Sequence, residues 1–589
     1  MIRWKRYYFV GSLLALGVFL IFFAGDFFVL KGPIDKPSFT FSKENGYQSF
    51  KNGKIYRHEQ AAPMLEIEGN HYEMGLQYGV LLYPEITRAI QEYQKIVKVL
   101  AKDLGIPQPF LLAYLKLKAL RLYKKLPKRF QEEIRGVSEG SSVPENTVIA
   151  VSLLYDVLGS HGCTSLLMRS EGGSIIHGRS QEPYGFGFGG LFGNHTVVVK
   201  QKSEGFNEIT RMEIPLFMGV ETGYNEAGIG YSEETYSLSE SYSEGFPIVY
   251  LARMILEEAS NLEEVLQMAE KYTTGLGSGM IWSDRKTSSG LRLEKSPKGQ
   301  AFQPMDSSIL WDFNNFVDAA FAVQEPPYVR LLSFNRDREK LAEGFPKKDS
   351  YAVSDAVSFF RLQKDETGKD YSWLGSKSAI ANAWGQQTVI FDPEGKGFYM
   401  SLRDVYSSMG RFLFYSNDFS ISPTHFMDSA KMDAMVKEAG RIKSGLLPKG
   451  KRLEEWVKFA TKYPNEANAQ FLVVEEAFKQ EKWQILHEFA YRCISLAPEA
   501  SEYRFYAGLA AFLRRNFSAC KGFLNDANNL SPEQEIYRLA VLKKMCKSEI
   551  LEKELDHQLV ILLDNYQARD YYESIVLPKI ERMKKKSFL

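Results

Sequence analysis

Cysteine is scarce in this chain. Only four of its 589 residues are Cys, at positions 163, 493, 520 and 546. Such a count excludes a disulfide framework, and no CxxC pair or Cys/His cluster offers the spacing of a metal site. An excess of charge of either sign is missing too. The formal net charge is +1, and no basic stripe interleaves with aromatic residues, which excludes nucleic acid as a partner. Beyond the first thirty residues there is no long apolar run. What is present is ordinary globular composition, 44% hydrophobic and 25% charged, which argues against disorder. The length exceeds what one hydrophobic core fills, so two or more domains are expected.

The amino end carries the exception to the lack of apolar runs. Arg3, Lys5 and Arg6 precede an uncharged stretch from Tyr7 to Gly25. At about 1.5 Å per residue in a helix, that stretch reaches roughly the thickness of a bilayer core. The basic cluster predicts that this end stays in the cytoplasm. A cleaved signal peptide is the competing reading; its apolar region is usually shorter, and the exit Phe22-Phe23-Ala24-Gly25-Asp26 lacks a clean small-x-small site. Residues 1–30 are therefore expected to form an uncleaved, single-pass transmembrane helix. Under either reading the rest of the chain is expected outside the cytoplasm, in a periplasmic, lumenal or extracellular space.

Changes of texture divide the remainder of the chain. Residues 31–61 are polar and rich in Pro, Gly and Lys, and read as a linker. From 62 to about 160 the pattern is helical, with apolar residues at three- and four-residue intervals over Tyr83–Asp103 and Phe110–Leu126. After Cys163, short β-rich runs alternate with Gly-rich turns: Thr164–Met168, Ser174–His177, Thr196–Val199, Ile229–Ser232, Gly279–Trp282, Thr388–Phe391 and Gly397–Leu402. One helix, Val249–Tyr272, interrupts them. Strands in sequential runs with segregated helices indicate an α+β layered domain over 62–430. A second linker spans 431–452. In the tail, Pro464, Pro498 and Pro532 recur every 34 residues, and Phe471, Phe505 and Leu539 keep the same period, as do Trp483, Phe517 and Leu551. That is the period of tetratricopeptide helix-turn-helix units, so 453–589 is expected to be an all-α repeat domain.

The segment from His161 reads "HGCTSLLMRSEGGSIIHGRSQEPYG". Gly162 permits a closely approached peptide bond. If the Gly162–Cys163 bond is cut, Cys163 gains a free α-amino group beside its own thiol. With a reference pKa of roughly 7.7–8, that amine serves as the base that activates the nucleophile, so no catalytic His is required. Nearby, "YGFGFGGLFGN" (Tyr184–Asn194) leads into a strand and lacks the context of a phosphate-cradling loop; an aromatic-lined loop beside a pocket fits it better. His161, His177 and His195 share no metal-ligand spacing. No metal and no cofactor is expected.

"GCTS" followed by "SIIHGR" (Ser174–Arg179) resembles the nucleophile region of the N-terminal-nucleophile amidases: acid ceramidase, N-acylethanolamine amidase, the penicillin acyltransferases and, more distantly, the choloylglycine hydrolases. In that family the exposed Cys is followed sixteen residues later by Arg and three after that by Asp; here those positions are Arg179 and Glu182, so the carboxylate is kept with one more methylene. "GNHYEMGLQYG" (Gly69–Gly79) is similar to the opening segment of the penicillin-acyltransferase branch. "TGYNEAGIGYS" (Thr222–Ser232) is similar to a G-x-N-x-x-G segment that places an Asn at Asn225, and "FNNF" (Phe313–Phe316) resembles a Thr-Asn-His-Phe stretch whose oxyanion Asn maps to Asn314. "SFNRDREKL" (Ser333–Leu341) and "QTVIFDPEGKGFYMSL" (Gln387–Leu402) resemble a later helix start and the closing hairpin.

The resemblance implies a layered αββα hydrolase fold, processing at Gly162/Cys163, and attack by Cys163 on an amide carbonyl. Arg179 would favour the thiolate, Glu182 would face the new α-amine, and the side-chain amides of Asn314 and Asn225 would bind the oxyanion. Arg330 and Arg336 are the candidates for substrate binding. The expected substrate is a small-molecule or lipid-like N-acyl amide, with the membrane reached through the amino-terminal helix and a protein partner through the repeats. Hydrolase and acyltransferase use the same residues and stay open, as does an inactive scaffold that presents the repeats.

Overall fold

Side chains alternate faces along a strand, and in this chain the alternation builds a four-layer stack. The computed structural model describes residues 30–33, 42–44, 46–59, 61–159, 162–182, 195–240, 245–326, 334–364, 378–382, 384–402, 407–427, 450–528, 530–566 and 568–585, with single positions between 435 and 447. Among them, one sheet has eleven strands, in the spatial order β1 (Ser42–Glu44), β2 (Tyr47–Phe50), β3 (Gly53–Tyr56), β4 (Met64–Gly69), β7 (Val197–Ser203), β8 (Ile209–Glu213), β9 (Thr222–Asn225), β10 (Ile229–Tyr236), β11 (Gly277–Asp284), β12 (Ser289–Ser296) and β13 (Gly299–Pro304). A second has seven, in the order β14 (Ile309–Asp312), β5 (Gly162–Arg169), β6 (Ile175–Glu182), β15 (Gln387–Phe391), β16 (Gly397–Leu402), β17 (Phe412–Ser416) and β18 (Ile421–Pro423). In the first sheet only β4 and β7 pair in parallel; the other ladders are antiparallel.

Period-two patterning assigns each face its layer. In β7, Val197 and Val199 pack under the helices, whereas Val198 points between the sheets with Met64, Met212, Val389 and Met400. In β5, Leu166 and Met168 turn outward to a second helical layer, and Leu167 turns inward with Ile281 and Leu310. The first helical layer holds α1 (His71–Leu81), α2 (Tyr83–Leu104), α3 (Gln108–Tyr123), α4 (Lys128–Ser141), α5 (Glu145–Ser152), α6 (Leu154–Leu158), α7 (Ile248–Glu258) and α8 (Leu262–Glu270). The second holds α9 (Phe334–Glu343) and α10 (Val353–Phe360). The layered αββα arrangement is present.

Close approach of α1 and α4 explains the glycines of the "GLQYG" segment. A Cβ on Gly75 would lie 2.1 Å from the Glu133 carbonyl, and one on Gly136 would lie 2.3 Å from the Tyr72 carbonyl. Beneath this crossing lies a buried charge network. Arg253 donates to Glu133 at 2.5 Å and to Glu257 at 3.0 Å, Gln201 donates to Glu257 at 2.9 Å, and Arg211 pairs with Glu213. Three arginines, counting Arg129, thus face three glutamates, so the charges of this network balance. The network joins residues before Cys163 to residues after it.

The carboxyl-terminal region is all helical: α11 (Lys451–Lys462), α12 (Ala467–Lys479), α13 (Trp483–Leu496), α14 (Ser501–Leu513), α15 (Phe517–Asp526), α16 (Pro532–Met545), α17 (Glu549–Asn565) and α18 (Leu577–Lys585). Phe471, Phe505 and Leu539, the repeated column, are all buried. In the second column Trp483 is buried, but Phe517 and Leu551 stay 49% and 39% exposed, so the repeat weakens toward the end. Its core does not stop at the linker: Trp384 is part of it and Met409 packs against it.

Three expectations are corrected. The amino-terminal transmembrane helix, and with it the single-pass membrane localisation, is withdrawn: among the described residues no helix is long and apolar enough to cross a membrane, and residues 1–29 lie outside those described. Within 31–61, read as linker, Ser42–Glu44, Tyr47–Phe50 and Gly53–Tyr56 are strands that extend the large sheet through β4. The helix expected over Val249–Tyr272 is two helices, because Asn261 caps a new start by accepting from the Glu264 amide.

Candidate active site

Strand alternation places the Cys163 side chain between the sheets. Cys163 pairs with Gln181 and Ser165 pairs with Arg179 across the β5–β6 ladder, so these four side chains share the inner face. Cys163 is fully buried. Nη2 of Arg179 donates to its sulfur at 2.9 Å. The rest of that guanidinium is fixed by the Glu233 carbonyl at 2.9 Å, Thr222 Oγ1 at 2.8 Å and the Glu221 carboxylate at 3.4 Å. A cation aimed at a sulfur by three other contacts is a preorganised thiolate partner.

The peptide unit at Cys163 is held from both ends. Its N–H, the amide nitrogen of the Gly162–Cys163 bond, donates to Asn314 Oδ1 at 2.7 Å. Its carbonyl accepts from Arg338 Nη1 at 2.7 Å. Arg338 Nη2 donates to the same Asn314 oxygen at 3.0 Å, and two donors on one atom identify it as the oxygen of the amide. Nδ2 of Asn314 donates to the Thr235 carbonyl at 3.1 Å. The atom presented to Cys163 is therefore an acceptor, whereas an oxyanion needs a donor. Asn314 sits at φ +37°, a left-handed conformation that Asn tolerates better than other non-Gly residues.

Glu182 lies opposite Gly162 in the ladder and shares the outer face with Thr164. Its carboxylate accepts from Thr164 Oγ1 at 3.0 Å and from Arg338 Nη1 at 3.0 Å, all three side chains being fully buried. Arg338 comes from α9, where Asn335 one turn earlier receives its other amine at 2.6 Å. Sequence reasoning passed over both; the i, i+3 pair Asn335/Arg338 inside "SFNRDREKL" is the signal that was available. The neighbouring Arg336 is exposed and instead meets Tyr566 after α17, with the guanidinium 5.0 Å from the ring centre. Arg330, His161 and the loop Tyr184–Asn194 lie outside the described residues.

Asn225 is not brought to Cys163. Its Oδ1 accepts from the Ile229 amide at 2.9 Å, and its Nδ2 donates to the carbonyls of Leu256 and Ala259 at 2.9 and 2.8 Å. These contacts close the β9–β10 turn and cap the end of α7. Nearby lie buried carboxyls that sequence reasoning did not select, Glu234 and Asp312 between the sheets and Glu233 on the opposite, helix-facing side of β10. Glu233 accepts from Ser278 at 2.9 Å and from Tyr155; Glu234 accepts from Ser165 at 2.7 Å; Tyr236 donates to Asp312 at 2.6 Å. Burial raises all three, Glu233 to about 8, Asp312 to about 7 and Glu234 well above the carboxylate range. Burial likewise raises the Cys163 thiol well above its usual range, with Arg179 opposing. The chain thus presents a protonated thiol at Cys163 with a guanidinium in place to receive its anion.

Residues 191–403 match the family model described as acyl-coenzyme A:6-aminopenicillanic acid acyl-transferase. The chain is similar to an N-acylethanolamine-hydrolyzing acid amidase of Caenorhabditis elegans, 24% identical over 187 residues that cover 28% of this chain and 50% of that protein. It is similar as well to acid ceramidase of Mus musculus, 23% identical over 195 residues, 29% of this chain and 49% of the relative. The matched part thus spans about half the length of these curated relatives. Among solved structures, penicillin V acylase from Agrobacterium tumefaciens aligns with a TM-score of 0.29 and 14% identity, covering 44% of this chain and 86% of that one. The resemblance to N-terminal-nucleophile amidases drawn from the motifs is borne out by the family model and the curated relatives.

Proposed function

We propose that this chain is the precursor of an N-terminal-nucleophile amidohydrolase that cuts itself between Gly162 and Cys163 and then hydrolyses a linear N-acyl amide. The observation that carries the reading is the double hold on Cys163: Arg179 2.9 Å from its sulfur and Asn314 2.7 Å from its amide nitrogen. In processing, Sγ adds to the Gly162 carbonyl, the C–N bond breaks with its nitrogen taking a proton, and water cleaves the resulting thioester. The amine released occupies the position of the old amide nitrogen, beside Asn314, and acts as the base for the next attack. Transfer of the acyl group to an amine instead of water uses the same residues.

The named relatives act on N-acylethanolamines and ceramide, and we extend from them a lipid-like acyl amide as substrate. Residues 62–430, with the strands within 42–56 that extend its large sheet, would form the hydrolase unit and 453–589 the tetratricopeptide-like repeats, with the repeats free to engage a protein partner. The buried charge network joining residues on both sides of the cut supports two chains that stay together after processing. Intact-mass analysis of purified protein tests the reading: a fragment beginning at Cys163 in the native chain, and none in Cys163→Ala, is the expected outcome.

A further inference from the structure

A line of side-chain hydrogen bonds runs between the two sheets, from a cavity to a carboxyl beside the nucleophile. Ser283 Oγ lies 2.8 Å from His177 Nδ1, and His177 Nε2 lies 2.8 Å from Ser232 Oγ. Ser232 Oγ lies 2.8 Å from Ser165 Oγ, which meets Glu234 Oε1 at 2.7 Å. The five residues come from β11, β6, β10, β5 and β10 again, and every one is buried. At the outer end is a cavity of about 220 Å³ lined by His177 and Ser283 together with Lys200, Glu208, Arg285 and Asp392. Arg285 at its rim is exposed. At the inner end, Glu234 interacts with Arg179 from β6, Asp312 from β14, Glu233 alongside it and Cys163 from β5. Its second oxygen, Oε2, is buried without a hydrogen-bond partner.

Two details make this line more than a filled core. A Cβ on Gly230 would come within 2.6 Å of Ser283 Oγ and 3.0 Å of His177 Nδ1, so the outermost link forms only with glycine there. Burial holds His177 down to about 3, so the ring is neutral and each nitrogen has one fixed role at a time.

We propose that these residues are a proton path by which the sealed Glu234 carboxyl exchanges with solvent in the cavity. When Glu234 is ionised, every donor points inward: Ser283 to Nδ1, Nε2–H to Ser232, Ser232 to Ser165, Ser165 to Glu234. A proton delivered to Ser283 from cavity water moves each bond over by one position, protonates Glu234 and leaves the ring with its hydrogen on Nδ1. Charge and atom count balance, and the imidazole changes tautomer without becoming a cation. Glu234 in its charged form raises the Cys163 thiol, so the path lets solvent pH set the charge beside the nucleophile. His177, Ser232 and Ser283 touch no reacting atom; they act through Glu234. The use assigned to the proton rests on the function proposed above, but the path itself does not.

Time-resolved infrared spectroscopy of the full chain after a pH jump tests it, following the carbonyl stretch of protonated Glu234 as assigned by its loss in Glu234→Gln. The expected result is that Ser283→Ala slows that relaxation at least tenfold while the equilibrium midpoint stays within a few tenths of a pH unit. His177→Gly should be equally slow and recover with free imidazole, which the cavity admits. Relaxation at the native rate in Ser283→Ala, or no recovery with imidazole, overturns the path. A native chain that stays uncut at 162/163 counts against the proposed function alone, because the infrared rates decide the path without any turnover.

Discussion

Arg179 and Cys163 stand sixteen residues apart in sequence, and in the structure the guanidinium Nη2 is 2.9 Å from the sulfur. Strand pairing creates the contact: a tight turn between β5 and β6 sets Arg179 opposite Ser165, on the same face as Cys163. A charge-assisted hydrogen bond to a buried group is worth about 1.5–3 kcal/mol. Arg179→Leu is therefore expected to slow alkylation of Cys163 and the cut at 162/163 roughly ten- to a hundredfold. Alkylation at the native rate would show that Arg179 does not stabilise the thiolate.

Arg338 holds Glu182, Asn314 and the Cys163 carbonyl at once. Arg338→Met leaves the Glu182 charge buried, which costs about 3–5 kcal/mol. Adding Glu182→Gln should restore most of the stability and none of the processing, since the Cys163 carbonyl has still lost its donor. Denaturant unfolding together with a gel-based cleavage assay separates the two effects; recovery of cleavage in the double variant contradicts this role.

The helices α1 and α4 cross where glycine is required. Gly75→Ala puts a methyl 2.1 Å from the Glu133 carbonyl, and overpacking of this kind costs about 1–3 kcal/mol. The same shift moves Glu133 off Arg253. Thermal unfolding of the variant should show a clear loss, whereas Gly205→Ala, an open surface turn at φ +81°, should lose only the smaller backbone term of roughly 1 kcal/mol.

Stability should depend on pH in an unusual direction. Burial raises Asp156 and Asp312 to about 7 and Glu233 to about 8. The folded chain therefore keeps protons that the unfolded chain releases near pH 4, and stability falls as pH climbs from about 4 to 8. Glu257 acts oppositely. Although burial alone would raise it, Arg253 holds it down to about 2, so its contribution is present above about pH 4 and is lost as the solution is acidified further. Scanning calorimetry of the uncut Cys163→Ala chain should find its highest melting temperature near pH 4–5; a melting temperature that rises steadily to pH 8 contradicts the assigned protonation states.

The fold was legible in sequence where periodicity carries it. The run Thr164–Met168, expected as a strand, is the heart of β5, and the 34-residue column of Phe471, Phe505 and Leu539 marks one buried face of the helical region. Boundaries failed where a single cap decides them, as at Asn261. Cys163, Arg179, Glu182 and Asn314 converge on one site because local motifs encode strand pairs. Arg338 and Glu234 were missed because their roles arise only when α9 and β10 pack against β5 from opposite faces. Asn225 misled because a turn Asn and an oxyanion Asn look alike in sequence; which carbonyls its amide meets is settled by α7.

Amino-terminal sequencing of the purified chain is the most direct test of the central claim. The account predicts a second amino terminus reading Cys163-Thr164-Ser165-Leu166, present in the native chain and absent from Cys163→Ala. A single intact chain that nonetheless hydrolyses acyl amides would contradict it, because no α-amine would then exist at the nucleophile.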